Sequence, residues 1–171
     1  MKRALIIFLI ILITGAGQAW GATPVRIGVV DLQKAVSECK AGVSARAKLL
    51  KRTEELNNEL KAMLADLEKE KADLDKQASR LSEDSRSEKE KKLQKAGRDL
   101  QNRQREAQEE VKQLEADSLK KLVGRLSDLM ARIGAEGGYT AILDKKNGVF
   151  YSGKEADITP LLIKRADSEY E

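Results

Sequence analysis

The chain has 171 residues, of which 35% are charged and only 4% aromatic, a balance that suits long exposed helices and excludes one large compact core. The formal charge is +4, from 32 basic and 28 acidic side chains, too balanced for a nucleic-acid binder. Histidine is absent, which removes the commonest general base and metal ligand.

Lys2 and Arg3 precede an apolar run from Ala4 to Ile13, and the small-residue stretch GAGQAWGA follows. This is the layout of a secretory signal peptide. Cleavage is expected after Gly21, with Ala19 and Ala22 as neighbouring choices. An uncleaved anchor is the alternative, since Ala4 to Ala22 is nearly long enough to span a bilayer; Gly15, Gly17 and Gln18 weigh against it. No cysteine stands at the cleavage region, which argues against a lipoprotein. Cleavage leaves 30 basic and 28 acidic side chains, a net charge of +2.

The segment VRIGVVDLQKAV opens the exported chain. Alternation of Val25, Ile27 and Val29 with Arg26, Gly28 and Val30 predicts a strand. Asp31 is a good N-cap for a short helix behind it. Gly42 interrupts that helix, and Ser44 suits a second start. The sole cysteine, Cys39, has no disulfide partner and reads as a small, partly buried apolar residue.

Long helices come next. Leu60, Leu67, Leu74 and Leu81 recur every seven residues, with Leu64 and Ala78 between them and Lys71 breaking the set, which is a heptad seam. Ser82 to Glu88 (SEDSRSE) stops it, because Ser and Asp compete with helix through their own hydrogen bonds. The seam resumes at Leu93, Leu100, Ala107 and Leu114, then shifts to Leu119, Leu122, Leu126, Leu129 and Ile133. RIGAEGGY ends it with glycines suited to a helix C-terminus. Two arms of nearly equal length, each spanning roughly 60–70 Å, predict an antiparallel hairpin, with one long helix as the alternative. Leu49, Leu56 and Met63 lie off this seam and are the expected outward contacts of the arm; methionine suits irregular partners.

In YTAILDKKNGVFYSG, two strands are expected around a tight turn at Asn147-Gly148. ADITPLLIKRA follows, with Thr159 as N-cap and Pro160 at the first position of a last helix. The expected architecture is mainly α with a small β head (α+β). A discontinuous head (22–43 and 134–171) carries a helical hairpin arm (44–133) that turns near 82–88.

Catalytic constellations are missing from the sequence. GAEGG lacks the Gly-Lys-Ser/Thr ending of a phosphate loop, and the carboxylates sit on charged helical faces. No enzyme activity, metal or cofactor is expected.

The segments VRIGVVDLQKAV, Gly42 to Ser44 (GVS) and YTAILDKKNGVFYSGKEADITPLL, with Asp157-Ile158-Thr159 before the last helix, resemble the Skp (OmpH-like) family of periplasmic chaperones. The arms match that family only in length and composition, so the specific part is the head. The resemblance implies a homotrimer in the periplasm of a Gram-negative bacterium. Three small sheets would form a body, and three hairpins would hang from it, jellyfish-like, around a cavity for unfolded outer-membrane proteins, held without ATP. Ile27, Val29, Ile142, Val149 and Tyr151 are then the expected oligomerisation residues. The basic cluster Arg86, Lys89, Lys91, Lys92 and Lys95 is a possible contact for anionic lipid or lipopolysaccharide, against the plainer reading of a solvated face diluted by Glu83, Asp84, Glu88 and Glu90. The alternative function is a structural or adaptor coiled coil of the cell envelope.

Overall fold

The computed structural model describes residues 25–170; the expected signal peptide, 1–21, lies outside them. The elements in order are β1 (Ile27–Val30), α1 (Leu32–Glu38), α2 (Lys40–Gln77), α3 (Glu83–Glu136), β2 (Ala141–Asp144), a single 3-10 turn (Lys154–Ala156) and α4 (Thr159–Glu169). The protein is mainly helical, a long antiparallel helical hairpin on a small β-containing head.

The arm is the packing of α2 on α3. Cross-helix pairs run in opposite directions along the two helices: Arg52 with Glu110, Glu59 with Arg103, and Gln77 with Lys89. The turn lies at 78–82, ahead of the expected 82–88. Ser82 caps α3, its hydroxyl accepting from the Ser85 amide at 3.4 Å, and Glu83 and Asp84 occupy the first turn. A serine followed by two acids favours a helix start, because the acids face the positive end of the helix dipole. The polar cluster is therefore a beginning rather than a break.

The seam keeps the expected Leu60, Leu67, Leu74 and Leu81, all half-buried, but differs from the sequence reading at an intervening position, where Met63 stands in place of Leu64. Leu56 is only 2% exposed, and Leu49, Leu60, Met63, Leu67 and Leu74 are half-buried, whereas Leu64 is 45% exposed. The inner face of α2 alternates steps of four and three through Leu56, Leu60, Met63 and Leu67. Leu64 lies one residue, about 100°, around the helix from Met63. Leu119, expected in the second seam, is also exposed. Leu49, Leu56 and Met63 thus form half of the seam and do not point outward.

In the head, β1 and β2 pair in parallel, with Ile27 opposite Ala141 and Val30 opposite Asp144. Parallel strands need a long crossover, and the whole arm serves as that connection. The expected second strand, in VFYSG, does not form. Asp144 accepts from the Lys146 amide (3.1 Å) and from the Asn147 side chain (2.8 Å), and its carbonyl accepts from the Asn147 amide (3.0 Å). Gly148 has φ +92, but Asn147 is not in the left-handed region. A two-residue hairpin turn of the Asn-Gly type needs positive φ at both central residues, so the chain leaves the sheet instead of folding back. A single parallel bridge joins Val29 to Asp157 on the other side of β1.

The head core gathers Val30, Ala35, Cys39, Leu122, Leu126, Leu129, Ile133, Ile158, Leu162 and Ala166. Leu122 to Ile133 were expected in the arm up to residue 133; they lie beneath the sheet, so the head reaches well into that span. This explains why α3 has 54 residues and α2 only 38. Asp31 caps α1, accepting from the Lys34 amide at 2.9 Å. The second helix starts at Lys40, not Ser44. Buried Cys39 caps it, its Sγ accepting from the Gly42 amide at 3.4 Å. A Cβ on Gly42 would lie 1.7 Å from the Val36 carbonyl oxygen, so this glycine lets α1 and α2 meet. Thr159 is the first residue of α4 rather than its cap. Its hydroxyl accepts from the Asp31 amide and its amide donates to the Asp157 carboxylate, both at 2.9 Å. These bonds tie β1, α1 and α4 together at one point.

Candidate oligomer and client surfaces

Sheet geometry decides what the head offers to a neighbour. Among the expected oligomerisation residues, Val29 is 4% exposed and Ile142 packs against the core. Parallel pairing puts both inside the chain's own fold, so neither is available as an outer contact. Val149 is half-buried, while Ile27 and Tyr151 are exposed. Phe150, beside Tyr151, is wholly exposed, and Val25 and Leu143 are exposed on the same head. Alternation within VFYSG singles out Val149 and Tyr151 and passes over Phe150. Such a pattern identifies one face of a strand only where a strand exists.

Two backbone features accompany this apolar surface. Because β2 pairs only with β1 among the described residues, β2 is an edge strand. The residues from Val149 to Ser152 belong to no helix or strand, and their amides donate to no group among the described residues. Unpaired strand edges readily pair with another chain.

The entrance to β2 is held firmly. The Arg26 guanidinium donates to the Gly137 carbonyl at 2.6 Å and to the Tyr139 hydroxyl at 3.2 Å, and lies 4.2 Å from the Tyr139 ring centroid. Between α3 and α4, Arg132 pairs with Glu169 and Arg165 with Glu136. Hydrogen bonding from Arg165 keeps the Glu136 carboxyl below the usual carboxylate range. Asp157 is held low as well, chiefly by its hydrogen bonding with Thr159.

The middle of the arm carries an ion-pair network that heptad counting missed. Arg103 grips Glu59 through Nε and Nη2, both at 2.7 Å, and Arg52 Nε meets Glu110 at 2.6 Å. Arg103 also lies within 4.0 Å of Glu110. Arg103 lowers the Glu59 pKa, and Arg52 followed by Arg103 lowers that of Glu110. The available signal was the charge pattern itself, but opposite charges on two distant segments become partners only once the hairpin register is known.

The tip contains the expected basic cluster, only partly free. Arg86 pairs with Glu90 at 2.9 Å, and Lys89 donates to Gln77 at 2.6 Å. Lys92 borders a hollow that also contains Glu70 and Asp73. Lys91 and Lys95 are exposed.

No helix among the described residues is long and apolar enough to cross a membrane. The family profile described as outer membrane protein (OmpH-like) matches residues 26–165. No protein of curated function matches at a significant level. Among solved structures, the fold is similar to that of a Caulobacter crescentus protein assigned as an OmpH-like outer membrane chaperone. The two superpose with a TM-score of 0.80 at 20% sequence identity, over 86% of this chain and 87% of that one. The profile match spans the head and the arm alike, and the chain belongs to the OmpH-like family.

Proposed function

We propose that this protein is an ATP-independent periplasmic holdase that shields unfolded outer-membrane proteins between the arms of a homotrimer. The observation that carries the reading is the arm. It projects from a small head, and its exposed apolar side chains are spread singly along it. Val43, Leu50 and Leu64, all exposed on α2, stand at multiples of seven residues and so share one face of the helix. They replace Leu49, Leu56 and Met63 as the client-contacting stripe. Scattered apolar contacts hold an unfolded chain weakly at many points, which permits release without a nucleotide. An outer-membrane barrel in transit exposes apolar alternation and unpaired edges, the chemistry such a surface suits.

Self-association is supported by the head. A two-stranded sheet is marginal by itself, and here β2 has an unpaired edge, the amides from Val149 to Ser152 have no partner among the described residues, and the Phe150 and Tyr151 rings are exposed. Pairing between copies would satisfy the backbone groups and bury the rings together. Ile27, Val149 and Tyr151 remain in the proposed interface, joined by Phe150 and Leu143. The periplasmic setting is supported by the leader pattern at 1–21 and the family.

Dilution of a urea-unfolded outer-membrane barrel into the purified protein tests the reading by light scattering. Aggregation is expected to be suppressed at one trimer per client, and no suppression at that ratio would reject the holdase. Leu50→Ser with Leu64→Ser is expected to weaken suppression while helicity stays. Phe150→Asp is expected to shift the protein to monomer in sedimentation equilibrium and to abolish suppression. Recovery of one fixed folded partner, in place of several unfolded clients, would favour the envelope adaptor instead.

A further inference from the structure

A hollow of about 250 Å³ opens where α2 and α3 enter the head, closed at one end by Tyr170 behind α4. Lys40 and Lys48 come to it from α2, and Lys121 and Arg125 come from α3. The hydroxyl-bearing Ser44 and Ser118 also line it, and no carboxylate does among the described residues. Elsewhere Arg52, Arg86, Arg103, Arg132 and Arg165 each meet a carboxylate. Lys48, Lys121 and Arg125 form no ion pair among the described residues. Asp167, on α4, accepts from the Lys40 amide at 2.7 Å.

Arg125 is also held in place. Its guanidinium carbon lies 5.3 Å from the Tyr170 ring centroid, and its backbone carbonyl accepts from the Tyr170 hydroxyl at 3.3 Å. Stacking of this kind positions a planar guanidinium while leaving its in-plane donors available. Lys48, Lys121 and Arg125, with two hydroxyl-bearing side chains around the same hollow, match a tetrahedral oxyanion of more than one negative charge.

We infer that this hollow binds a small phosphate-bearing dianion, a phosphate monoester or pyrophosphate group. The inference does not depend on the holdase reading. A bound phosphate would bridge α2, α3 and the end of α4, and so stiffen the root of the arm. The site is distinct from the basic cluster at the tip, whose charges are contiguous in sequence and partly neutralised by neighbours. The root site is brought together by the fold from residues far apart in the chain.

Isothermal titration of the purified protein with pyrophosphate, and separately with inorganic phosphate, tests the inference. Saturable binding is expected with at least one of them, weakening as sodium chloride is raised. Lys48→Gln with Lys121→Gln is expected to lower affinity at least tenfold, whereas Lys91→Gln with Lys92→Gln at the tip leaves it unchanged. Arg125→Lys keeps the charge and loses the planar stacked donor, so weakened binding there isolates the geometry from folding defects. Absence of saturable binding to both anions, or equal binding by the wild type and both root variants, overturns the site. Phosphatidic acid vesicles, whose headgroup is a phosphate monoester, separate the two sources of phosphate. Vesicle binding displaced by pyrophosphate assigns a lipid headgroup, and pyrophosphate binding without vesicle competition assigns a soluble anion.

Discussion

The head and the arm are built from the same residue types but packed in opposite ways. In the head, short elements from both ends of the sequence converge, and Ala35, Cys39, Leu126, Leu129 and Leu162 lose all contact with water. Along the arm only Leu56 and Ala107 are buried; the other seam residues stay half-exposed, and Arg52, Glu59, Arg103 and Glu110 add a polar clasp. A two-helix seam has solvent on both sides, so it cannot enclose a side chain as a multi-element core does. Close packing gives the head one arrangement, whereas a half-wet seam lets the arm bend at small cost. A tightly packed head and a more compliant arm are therefore separate parts of one chain.

Deleting side-chain volume is the strongest way to break this contrast. Leu126→Ala is expected to cost about 2–5 kcal/mol in urea unfolding, with Leu56→Ala falling at or below the low end of that range. Equal costs would mean that the arm is packed as tightly as the head. Gly42→Ala comes next, since its new methyl meets the Val36 carbonyl; a loss of about 1–3 kcal/mol is expected from overpacking. Ser82→Ala removes the cap at the tip and is expected to cost about 1 kcal/mol. Its increase in amide hydrogen exchange should stay within the tip and leave the head protected.

Acid sharpens the comparison with the smallest expected effect. The folded-state pKa values of Glu59 and Glu110 are lowered by their arginines. Their contribution is therefore present above the unfolded glutamate pKa of about 4.3 and is lost as pH falls through the lower folded values. Both carboxylates are well exposed, so screening keeps the effect modest. Faster exchange of mid-arm amides is expected below about pH 4.3, and Glu59→Gln with Glu110→Gln should remove that pH dependence. The head also has acid-sensitive groups in Glu136 and Asp157, so the readout must be local to the arm.

Much of this fold was legible in sequence where local chemistry decides the outcome. The first strand, the Asp31 cap, two long helices and a closing helix after Asp157-Ile158-Thr159 all follow from alternation, capping and apolar spacing. The failures have physical causes. Asn147-Gly148 has the composition of a hairpin turn, yet Asp144 captures the turn with its own carboxylate. Leu64 fits a seven-residue repeat as well as Met63 fits its neighbour's, and only the position of the opposing helix separates them. The clasp and the hollow at the root of the arm were invisible because each joins residues from segments that sequence spacing does not relate. At the head, alternation singled out Tyr151 and passed over the exposed Phe150, because it presumes a strand that does not form.

The parallel pairing of β1 with β2 has a consequence for the order of events during synthesis. Arg26 and Thr140 are hydrogen-bonded neighbours 114 positions apart. A chain delivered N-terminus first exposes β1 long before its partner strand exists. Closing so distant a contact directly is slow, because loop entropy is lost before the contact forms. The two long helices, however, form from local contacts, and their zipping carries the distant strands to within a few residues of each other. The arm thus acts as a jig on which the head is assembled. The head cannot close early, and the last helix, with Leu162 and Ala166, locks it only when nearly all of the chain has emerged.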